Sequence, residues 1–530
     1  MMKKFYITTA IAYTNAKPHM GHALEIVQAD AFARMYRILG KDVVFQTWTD
    51  EHGIKNRRSA EKAWKDIVNF LDDIVESYKD MYSKLLVSYD TFVRTSDTKL
   101  HYPWAQKLWN KLVEAGDIYK KKYIWLYCAG CESFKTEKEL IDGKCPDHPN
   151  GEIEKIEEEN YFFALQKYKK QVIDVIKKDI YQIIPETRKN EILSFLENAN
   201  DVSFSRPKAS LPRWISVPGD DDHVMYVWCD ALSNYLTGQW YADDEEKFNN
   251  TRPADIHLIG KDILRFHAAF WPAMLLSAKI ALPKKLIVHG HITLNGQKMS
   301  KSTGNVVDPM DILDIYDRDA FVFQLLYDIH IATDGDFSEE RLGHLYESML
   351  IWWRGNLVNR VTSLCKKYGI TSGKFNKQKW EVFKENNNSK FVQYFEDGRD
   401  GAKIEDQYLK KANIKWYLDD WYQLVQRANE YITKAEPWIK YKSEETKADA
   451  LADLQFLLYI VKNIALFSAP ILVNGFKKIQ SIFGNEEFSM IDSTVNNADN
   501  NFKIVFDMED FPVNLNPMII YQKIEPTTNK

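Results

Sequence analysis

The order of strand, loop, helix and strand at the start of the chain constrains its fold more than any other feature of the sequence. Residues 5–9 form a short run of β-branched and aromatic side chains, and residues 42–47 form a second run. Between them apolar side chains recur at helical spacing until Gly40, which ends the predicted helix: Leu24, Val27, Ala31, Met35 and Ile38. A helix that joins two such strands places them parallel in one sheet. The sequence therefore predicts an α/β fold.

Residues 119–224 interrupt this alternation of strands and helices. The segment contains three of the five cysteines, an acidic run at residues 152–159, and Pro207 and Pro212. Three short apolar runs, each followed by helix or loop signals, begin at the end of this segment and continue beyond it. They lie at residues 224–228, 256–259 and 286–288. We therefore expect a doubly wound parallel sheet of the Rossmann type whose two halves are separated by an insertion.

The last third of the chain is predicted to be helical. From about Asp336 onward, apolar and aromatic residues recur at helical spacing, and no strand-rich region separates these segments. This pattern favours an all-α helix bundle. Because a single core rarely exceeds roughly 250–300 residues, a chain of 530 residues indicates several domains. The expected domains are residues 1–118 and 225–295 for the two halves of the sheet, 119–224 for the insertion, 296–350 for a linking segment and 351–530 for the helix bundle.

The composition favours a soluble, folded chain. Hydrophobic residues make up 45% and charged residues 27% of the sequence, and five cysteines are too few for a disulfide framework at this length. The N-terminus has no apolar run long enough for a signal peptide, and no uninterrupted apolar stretch has the length of a transmembrane helix. The sequence thus predicts a cytoplasmic protein that has no membrane segment. The net charge of −5 leaves a nucleic-acid partner open, since a local basic patch suffices for phosphate contacts.

The sequence Pro18-His19-Met20-Gly21-His22 lies where the first strand is predicted to lead into the first helix. Backbone N–H groups and the helix dipole make such a place favourable for a phosphate. Two histidines three positions apart share a helix face and can donate to one group, and a glycine lets a base or ribose approach the backbone. A pair of structural histidines, or half of a metal site, would give the same pattern. The motif alone therefore does not assign a function.

A second motif, Lys298-Met299-Ser300-Lys301-Ser302, follows the predicted strand at residues 286–288 and the turn at residues 294–297. Two lysines in a small polar loop can hold phosphates as mobile point charges. A lysine pair by itself is equally typical of a solvated surface loop. Taken together, the two motifs resemble the HIGH and KMSKS elements of class I aminoacyl-tRNA synthetases in their order and in their predicted local structure.

This resemblance implies a reaction and a set of residues. In the family, an amino-acid carboxylate attacks the α-phosphate of Mg-ATP, and transfer of this kind depends mostly on positioning and charge stabilisation. The cofactor implied is therefore Mg²⁺ with ATP. By resemblance, His19 and His22 are catalytic and stabilise the transition state, while Lys298 and Lys301 hold the leaving pyrophosphate. The ATP site that the resemblance implies comprises His19, Gly21, His22, Gly260, Asp262, Lys298, Met299, Ser300, Lys301 and Ser302.

Longer segments resemble the methionyl-tRNA synthetase family over nearly the whole chain. They are residues 12–15, 49–53, 226–232 and 266–274. Aromatic side chains suit methionine, a polarisable thioether, and the resemblance implies that Asp50 pairs with the substrate ammonium. The methionine site that it implies comprises Ile11, Tyr13, Asp50, Trp228, Ala231, Leu232, Tyr235, Ile263, Phe266, His267 and Trp271. The sequence departs from the family pattern at Trp48, where many relatives carry glycine.

Three cysteines and one histidine in the insertion are spaced for a metal ion. Cys128 and Cys131 form one close pair, Cys145 and His148 form another, and two residues lie inside each pair. Unrelated free cysteines seldom show such paired spacings, whereas three thiolates and one imidazole suit a tetrahedral Zn²⁺. Because every coordination position would be filled, the sequence predicts one structural zinc. The insertion is too short to add the large editing domain of the leucine, isoleucine and valine enzymes.

Three residues of the predicted helix bundle favour base recognition. Asn356 and Arg360 are four positions apart on one helix face, and both side chains can bond base edges. Trp438 follows Pro437 at the end of a long predicted helix, and unpaired bases stack on such rings. A packing tryptophan and a surface Asn/Arg pair would look the same in the sequence. The resemblance implies that the three residues bind the CAU anticodon, and that the last domain is an anticodon-binding domain.

The partners implied by the resemblance are ATP, L-methionine and tRNA(Met), including the initiator tRNA, and we expect a monomer. Two alternatives stay open. The chain could be a cysteinyl-tRNA synthetase, although a zinc site closed by three cysteines and a histidine has no open position for a substrate thiol. It could also be a catalytically inactive tRNA-binding protein, although the presence of His19, His22, Lys298 and Lys301 argues against that alternative.

Overall fold

The computed structural model of the chain describes residues 4–131, 133–135, 137–208, 214–238, 244–294, 296–298, 306–385, 390–392, 401–483, 511–513, 515 and 519–523. The chain forms two compact units. The first comprises Met1–Ala29, Asp42–Ser83 and Tyr89–Gly290. The second comprises Asp30–Lys41, Lys84–Ser88 and His291–Lys530. The boundaries of the five domains expected from the sequence stay a prediction.

A six-stranded sheet lies at the centre of the first unit. Its strands in chain order are β1 (Phe5–Tyr13), β2 (Val43–Asp50), β3 (Thr91–Arg94), β4 (Gln182–Ile184), β5 (Ile256–Gly260) and β6 (Lys285–His289). Their spatial order is β3, β2, β1, β5, β6, β4, and every neighbouring pair is parallel. Strands β2 and β5 are buried along their whole length, as strands covered on both faces must be. The predicted α/β class is therefore confirmed.

The chain order reverses at the centre of this sheet, between β1 and β5. From β1 the chain continues to β2 and β3 on one side, whereas β5 and β6 lie on the other side. Helix α1 (Met20–Ile38) connects β1 to β2, and α2 (Val227–Thr237) precedes β5. The other helices that begin in this unit are Ile54–Lys62, Ile67–Lys84, His101–Glu114, Leu165–Lys177, Glu186–Glu197, Glu245–Thr251 and Trp271–Ser277, with shorter turns at Glu137–Glu139, Lys261–Ile263 and Phe266–Phe270. Open parallel sheets bind ligands at the carboxyl ends of the strands beside such a reversal.

The predicted insertion forms two antiparallel sheets of its own. In the first, a long pair of strands, Ile118–Cys128 and Ile153–Phe163, is extended by Ser133–Lys135 and Val202–Ser203. The second sheet contains Ser205–Pro207, Ser216–Val217 and Asp220–Met225. The segment also supplies β4, which joins the edge of the parallel sheet beside β6. The insertion thus adds one strand to the sheet that it interrupts.

The predicted parallel strand at residues 224–228 is wrong. Its first part belongs to Asp220–Met225, which pairs antiparallel outside the central sheet, and its second part begins α2. Tyr226 lies between them in an extended conformation as the N-cap residue of the helix. A short apolar run does not distinguish a strand from the first turn of a buried helix. The runs at residues 256–259 and 286–288 are strands β5 and β6, as predicted.

Helices make up most of the described part of the second unit. They include α3 (Asn356–Lys367), and the others are Pro309–Ile315, Arg318–Tyr327, Glu339–Leu345, Tyr346–Gly355, Lys377–Lys384, Gly401–Ile404, Glu405–Leu409, Ile414–Ala435, Pro437–Lys440, Glu444–Ser468 and Val473–Phe483. Short strands lie at Ile292–Leu294, Gln297–Lys298, Gly335–Phe337, Ser372–Gly373 and Phe511–Pro512. The prediction of a helical last third is confirmed.

The helix Glu444–Ser468 has the length and the hydropathy of a membrane-spanning helix. However, 83% of its apolar window is buried inside the protein. The core helix of a folded domain meets the same criteria of length and composition. This helix is therefore only weak evidence that the chain crosses a membrane.

Candidate active site

The carboxyl ends of β1, β2 and β5 meet at the point where the chain order reverses. Tyr13 at the end of β1 is in register with Asp50 at the end of β2. Gly260 at the end of β5 is in register with His289 of β6. Residues that the sequence analysis assigned to an ATP site and to a methionine site therefore lie at the same edge of one sheet.

The two histidines of the first motif lie side by side at the start of α1. Their ring centroids are 3.9 Å apart, and the backbone N–H of His19 donates to Nδ1 of His22 at 3.2 Å. A Cβ added at Gly21 would lie 2.9 Å from Cε1 of the exposed His19 side chain, so the imidazole of His19 would have to shift. The structure thus brings together the predicted pair at the N-terminus of a helix, where an anion is stabilised.

His22 is a neutral hydrogen-bonding group. Burial, followed by the nearby His19, lowers the pKa of His22 well below its ordinary value. Because Nδ1 accepts from the backbone of His19, the single proton of the neutral ring lies on Nε2. The Tyr78 hydroxyl lies 3.2 Å from that nitrogen. His22 is therefore an uncharged donor whose Nε2–H group faces the Tyr78 hydroxyl.

Gly260 ends β5, and Asp262 follows it at the same edge of the sheet. A Cβ at Gly260 would lie 2.8 Å from Oδ1 of Asp262, so a side chain at position 260 would displace the carboxylate. The charge of Asp262 raises the pKa of His22, in opposition to burial. The predicted residues of the ATP site from β5 and from α1 thus interact electrostatically.

A half-buried glutamate, Glu25, pairs with the buried His289 at this edge, and the pair was not predicted from the sequence. Nε2 of His289 is 3.1 Å from Oε2 of Glu25, whose Oε1 accepts from the backbone N–H of Ala10 at 3.0 Å. Burial lowers the pKa of His289, but the Glu25 carboxylate outweighs it, so the net shift is upward. The two residues are 264 positions apart in the sequence, and no local spacing indicates their contact.

An aromatic stack forms one wall of the candidate methionine site. The indole of Trp228, in the first turn of α2, lies parallel to the ring of Phe266 with centroids 3.6 Å apart. His267 meets the same indole edge-on at 6.2 Å. The turn at Phe266–Phe270 thus presents two rings to one face and one edge of Trp228. A thioether gains from contacts with such rings.

Tyr235 and His267 form a polar couple beside this stack. The Tyr235 hydroxyl lies 2.7 Å from Nε2 of His267, and Nδ1 of His267 lies 3.0 Å from the carbonyl oxygen of Ile263. Burial lowers the pKa of His267 to about 4, so the ring is neutral at physiological pH. Nδ1 must then carry the proton that bonds to the carbonyl oxygen, and Nε2 accepts from the tyrosine. The couple has a fixed direction of hydrogen bonding.

The other predicted methionine-site residues lie in or beside the same cluster. Leu232, Tyr235, Phe266 and Trp271 are buried in one hydrophobic cluster, and Ile11, Trp228 and Ile263 pack against it. Ala231 is buried on α2 between Trp228 and Leu232. Trp48 is fully buried within β2, in register with Ile11 and Val93. Its side chain therefore belongs to the core of the sheet and not to the loop that follows Asp50.

Glu51, the residue after Asp50, anchors the loop at the end of β2. The Glu51 carboxylate is fully buried and bonds to the guanidinium of Arg94 through two contacts of 2.7 Å. It also accepts from the hydroxyls of Thr49 and Ser96, each at 2.7 Å. Glu51 and Arg94 are 43 positions apart, and their pairing was not predicted from the sequence. This network fixes the backbone on which Asp50 is carried.

The second phosphate motif is largely outside the described residues. The backbone of Lys298 is described as the end of the short strand Gln297–Lys298. Met299, Ser300, Lys301 and Ser302 lie outside the described residues. The roles that the resemblance implies for these residues, as for the other residues of the site, stay predictions.

Comparison with known proteins decides the family. The family model described as tRNA synthetases class I (M) matches residues 5–155 and 148–362. A methionine–tRNA ligase of Caldanaerobacter subterraneus is 40% identical over 491 residues, which cover 92% of this chain and 75% of the relative. The enzyme of the same name from Clostridium tetani is 42% identical and covers 84% of this chain and 68% of the relative. The chain belongs to the methionyl-tRNA synthetase family.

Solved structures of methionyl-tRNA synthetases have the same fold. A Mycobacterium tuberculosis methionyl-tRNA synthetase in complex with methionyl-adenylate superposes with a TM-score of 0.82 at 34% identity, covering 91% of this chain and 94% of that one. A second structure of that enzyme bound by methionyl-adenylate gives a TM-score of 0.85 at 32% identity over 98% and 100% of the two chains. These matches confirm the resemblance drawn from the motifs and favour it over a cysteinyl-tRNA synthetase.

The four residues predicted to bind a metal ion form a compact cluster. One ligand atom from each of Cys128, Cys131, Cys145 and His148 lies within 4.8 Å of the others, so the four residues could hold a metal ion. The Sγ atom of Cys131 is 3.4 Å from Sγ of Cys145 and 3.3 Å from Nδ1 of His148. A Cβ at Gly130 would lie 2.3 Å from the imidazole of His148, which explains a glycine inside the first pair.

In the second unit, two of the three predicted anticodon residues are in contact. The guanidinium of Arg360 lies 5.7 Å from the ring centroid of Trp438, a cation–π distance. Asn356 is exposed one turn before Arg360 on α3. Trp438 lies in the short helix Pro437–Lys440, which follows a left-handed residue, Glu436. An amide, a guanidinium and an indole thus come from two helices of one unit.

Proposed function

We propose that the chain activates L-methionine with ATP to give methionyl-adenylate and pyrophosphate, and transfers the methionyl group to tRNA(Met), including the initiator tRNA, with release of AMP. The observation that carries this proposal is the grouping, at one edge of a parallel sheet, of a buried acid, an aromatic wall and a pair of histidines at a helix N-terminus. The solved relatives that hold methionyl-adenylate support it. A cytoplasmic location and a monomeric state stay predictions from the sequence.

Methionine recognition divides between the two ends of the amino acid. Asp50 is 6% exposed at the end of β2 and would pair with the ammonium group. The thioether would lie against Trp228, which is already stacked on Phe266. The rings of Tyr235 and His267, whose hydrogen-bond donors are already used within the couple, would lie beside the polarisable sulfur. Leucine has no sulfur to meet these groups, and a hydrophobic pocket alone rejects a similar side chain by only about 1–3 kcal/mol.

Adenylate formation requires the methionine carboxylate to attack the α-phosphorus of ATP. A P–O bond to the carboxylate forms while the P–O bond to pyrophosphate breaks, and pyrophosphate leaves with its negative charge. His22 would donate from Nε2 to a phosphate oxygen, next to the N-terminus of α1. Gly21 and Gly260, which have no side chain, are proposed to let the nucleotide approach the backbone, and Lys298 and Lys301 are proposed to hold pyrophosphate. Mg²⁺ bound with ATP would supply further charge neutralisation on the phosphates.

Exchange of labelled pyrophosphate into ATP, run separately with each of the twenty amino acids, tests this function. Adenylate formation is reversible, so labelled pyrophosphate enters ATP only when the enzyme forms an adenylate. We therefore expect exchange when methionine is the added amino acid. The matched comparisons are cysteine and leucine, which share the sulfur and the size of methionine respectively. Exchange that depends on cysteine, or the absence of exchange with every amino acid, would contradict the proposal.

We further propose that the cluster of Cys128, Cys131, Cys145 and His148 holds one structural Zn²⁺. Three thiolates and one imidazole are a donor set that Zn²⁺ binds in closed tetrahedral sites, and the four ligand atoms are already grouped within 4.8 Å. A filled coordination shell leaves no position for a substrate. We therefore expect the metal to stabilise the insertion and not to take part in the reaction.

The zinc proposal predicts that freshly purified, unchelated protein contains about one zinc per chain. Cys131→Ser should lower the zinc content and the thermal midpoint, because a hydroxyl replaces a thiolate ligand, while the KM for methionine changes little. Cys365→Ser is the matched control, since Cys365 is a buried cysteine of the other unit and lies outside the cluster. Metal analysis that finds no zinc in the wild type, or an equal loss of zinc in both variants, would contradict the proposal.

A further inference from the structure

A buried carboxylate between two histidines lies next to the candidate methionine site. Asp230, in the first turn of α2, places Oδ2 2.6 Å from Nδ1 of His52 and Oδ1 2.6 Å from Nε2 of His101. Asp230 is 1% exposed, His52 4% and His101 0%. All three residues belong to the first unit, but they come from the loop after β2, the helix His101–Glu114 and α2. None of them has a part in the binding or the chemistry described above.

The hydrogen-bonding groups of this cluster are all paired. One oxygen of the Asp230 carboxylate accepts from the Nδ1–H group of His52, and the other accepts from the Nε2–H group of His101. The second nitrogen of His52 lies 3.1 Å from the Tyr102 hydroxyl, and that of His101 lies 2.9 Å from the Thr237 hydroxyl. Both nitrogens of each ring are thus paired. Such a network holds its members in one arrangement, because a buried polar atom left unpaired is costly.

The carboxylate of Asp230 is ionised in this environment. Burial by itself would raise the pKa of Asp230, but the interactions with the two histidines outweigh burial and lower the pKa to about 2. A buried charge of this kind depends on its partners, so removal of either histidine leaves it partly unpaired. The cluster therefore holds together three segments that are far apart in the sequence, since His52 and Asp230 are 178 positions apart and His101 and Asp230 are 129 apart.

The two ends of the cluster are directly connected to the proposed methionine contacts. His52 is two residues after Asp50, and its backbone N–H lies 3.3 Å from Oδ1 of Asp50. Asp230 is two residues after Trp228, on the same turn of α2. A hydrogen bond of 2.6 Å therefore joins the loop that carries the acid to the helix that carries the indole.

We propose that Asp230, through His52 and His101, is a positioning residue for methionine: it fixes the distance between the ammonium partner Asp50 and the aromatic wall at Trp228. This inference rests on the proposed function, because it requires these two residues to contact the substrate. Asp230 touches neither the ammonium nor the thioether in this role. Its contribution is to hold both contacts in place before the substrate binds, so that no binding free energy is lost in assembling them.

Steady-state exchange kinetics on Asp230→Asn test the proposal. An asparagine amide is uncharged and presents its NH₂ group to one of the two histidines, so the hydrogen bond that this ring donates to the carboxylate is lost. We expect the KM for methionine to rise about tenfold, the effect of one hydrogen bond to a charged group. The KM for ATP and kcat at saturating methionine should stay near the wild-type values, because the residues proposed for ATP do not depend on this cluster.

A second pair of variants keeps the test decisive if Asp230→Asn does not fold. His101→Gln retains an N–H that can reach Asp230, whereas His101→Leu removes it without touching any proposed substrate contact. We expect His101→Leu to raise the KM for methionine and His101→Gln to stay closer to the wild type. A role in stability alone would change the thermal midpoint of both variants and leave the KM unchanged.

Asp117→Asn is the matched control for a buried carboxylate. Asp117 is fully buried in the same unit and accepts from Lys167 at 2.5 Å, Tyr168 at 2.6 Å and Ser277 at 2.6 Å. We expect Asp117→Asn to lower stability without changing the KM for methionine. A normal KM in soluble Asp230→Asn or His101→Leu, or an equal rise in Asp117→Asn, would overturn the positioning role. If Asp50→Ala also had a normal KM for methionine, the proposed function of the site would fail as well.

Discussion

Asp50→Ala is expected to raise the KM for methionine in pyrophosphate exchange by at least about a hundredfold. Removal of one partner from a buried ion pair costs about 3–5 kcal/mol, which corresponds to roughly 150- to 5000-fold in affinity. Asp50 is 6% exposed, so water replaces little of the lost interaction with the substrate ammonium. The KM for ATP should change much less, since the nucleotide is held by other residues in the proposal. Initial-rate measurements with each substrate varied in turn separate the two effects.

Asp255→Ala is a suitable control for this variant. Asp255 is 8% exposed and accepts from the backbone N–H of Tyr6 and from Lys284, at the amino end of the same sheet. Its loss should destabilise the sheet and leave the KM for methionine unchanged, because the carboxyl ends of the strands form the candidate site. Asp50→Asn should resemble Asp50→Ala in its direction and be milder, since it retains an acceptor without the charge. A wild-type KM in Asp50→Ala would remove Asp50 from the site.

The parts of the fold that depend on local patterns were predictable from the sequence. Strand β1, helix α1 and strand β2 each have a continuous apolar pattern of the right period, and the motif at residues 18–22 lies at the junction of the first two. The same holds for β5 and β6. The four metal-site residues were predictable as a group because the spacing inside each pair is itself the signal. Local order and ligand spacing do not require knowledge of distant contacts.

Other elements depend on distant contacts and were not predictable. Strand β4 is three residues long, too short for a periodic signal, and it exists because β6 pairs with it. Residues 224–228 contain one apolar run that is divided between a strand and α2. Asp230, three residues after the helix begins, is bonded to His52 and His101, which are far away in the sequence. Tertiary contacts of this kind decide between two local structures that a short apolar run permits equally.

The candidate site shows the same division. The aromatic wall and the two histidines of the first motif were named from the sequence, and the structure groups the members of each set. The polar networks behind them were missed: Glu25 with His289, Glu51 with Arg94, and Asp230 with its two histidines. Each pair is separated by tens to hundreds of residues, so no motif can contain both members. Residues that support a site through long-range hydrogen bonds are visible only once the chain is folded.

Trp438→Ala is expected to reduce the efficiency of tRNA charging by about ten- to a hundredfold. An unpaired base stacked on an aromatic ring contributes roughly 1–3 kcal/mol, and each 1.4 kcal/mol is about tenfold. Trp438 is half-buried, and the guanidinium of Arg360 lies 5.7 Å from its ring centroid, so a bound base would join an existing cation–π contact. Methionine-dependent pyrophosphate exchange should stay close to the wild-type rate, because activation of methionine uses no contact proposed for the tRNA.

The measurement pairs exchange and charging on the same preparation, with a tRNA that carries the CAU anticodon and with an anticodon variant. Trp416→Ala is the matched control, since Trp416 is a 50% exposed tryptophan at the start of the helix Ile414–Ala435 in the same unit. Its loss should leave charging unchanged. Arg360→Gln adds a second distinction: a residue that reads a base would relax the discrimination between the two tRNAs, whereas a phosphate contact would weaken both equally. If Trp438→Ala charges both tRNAs as the wild type does, Trp438 packs the two helices together and the anticodon is read elsewhere.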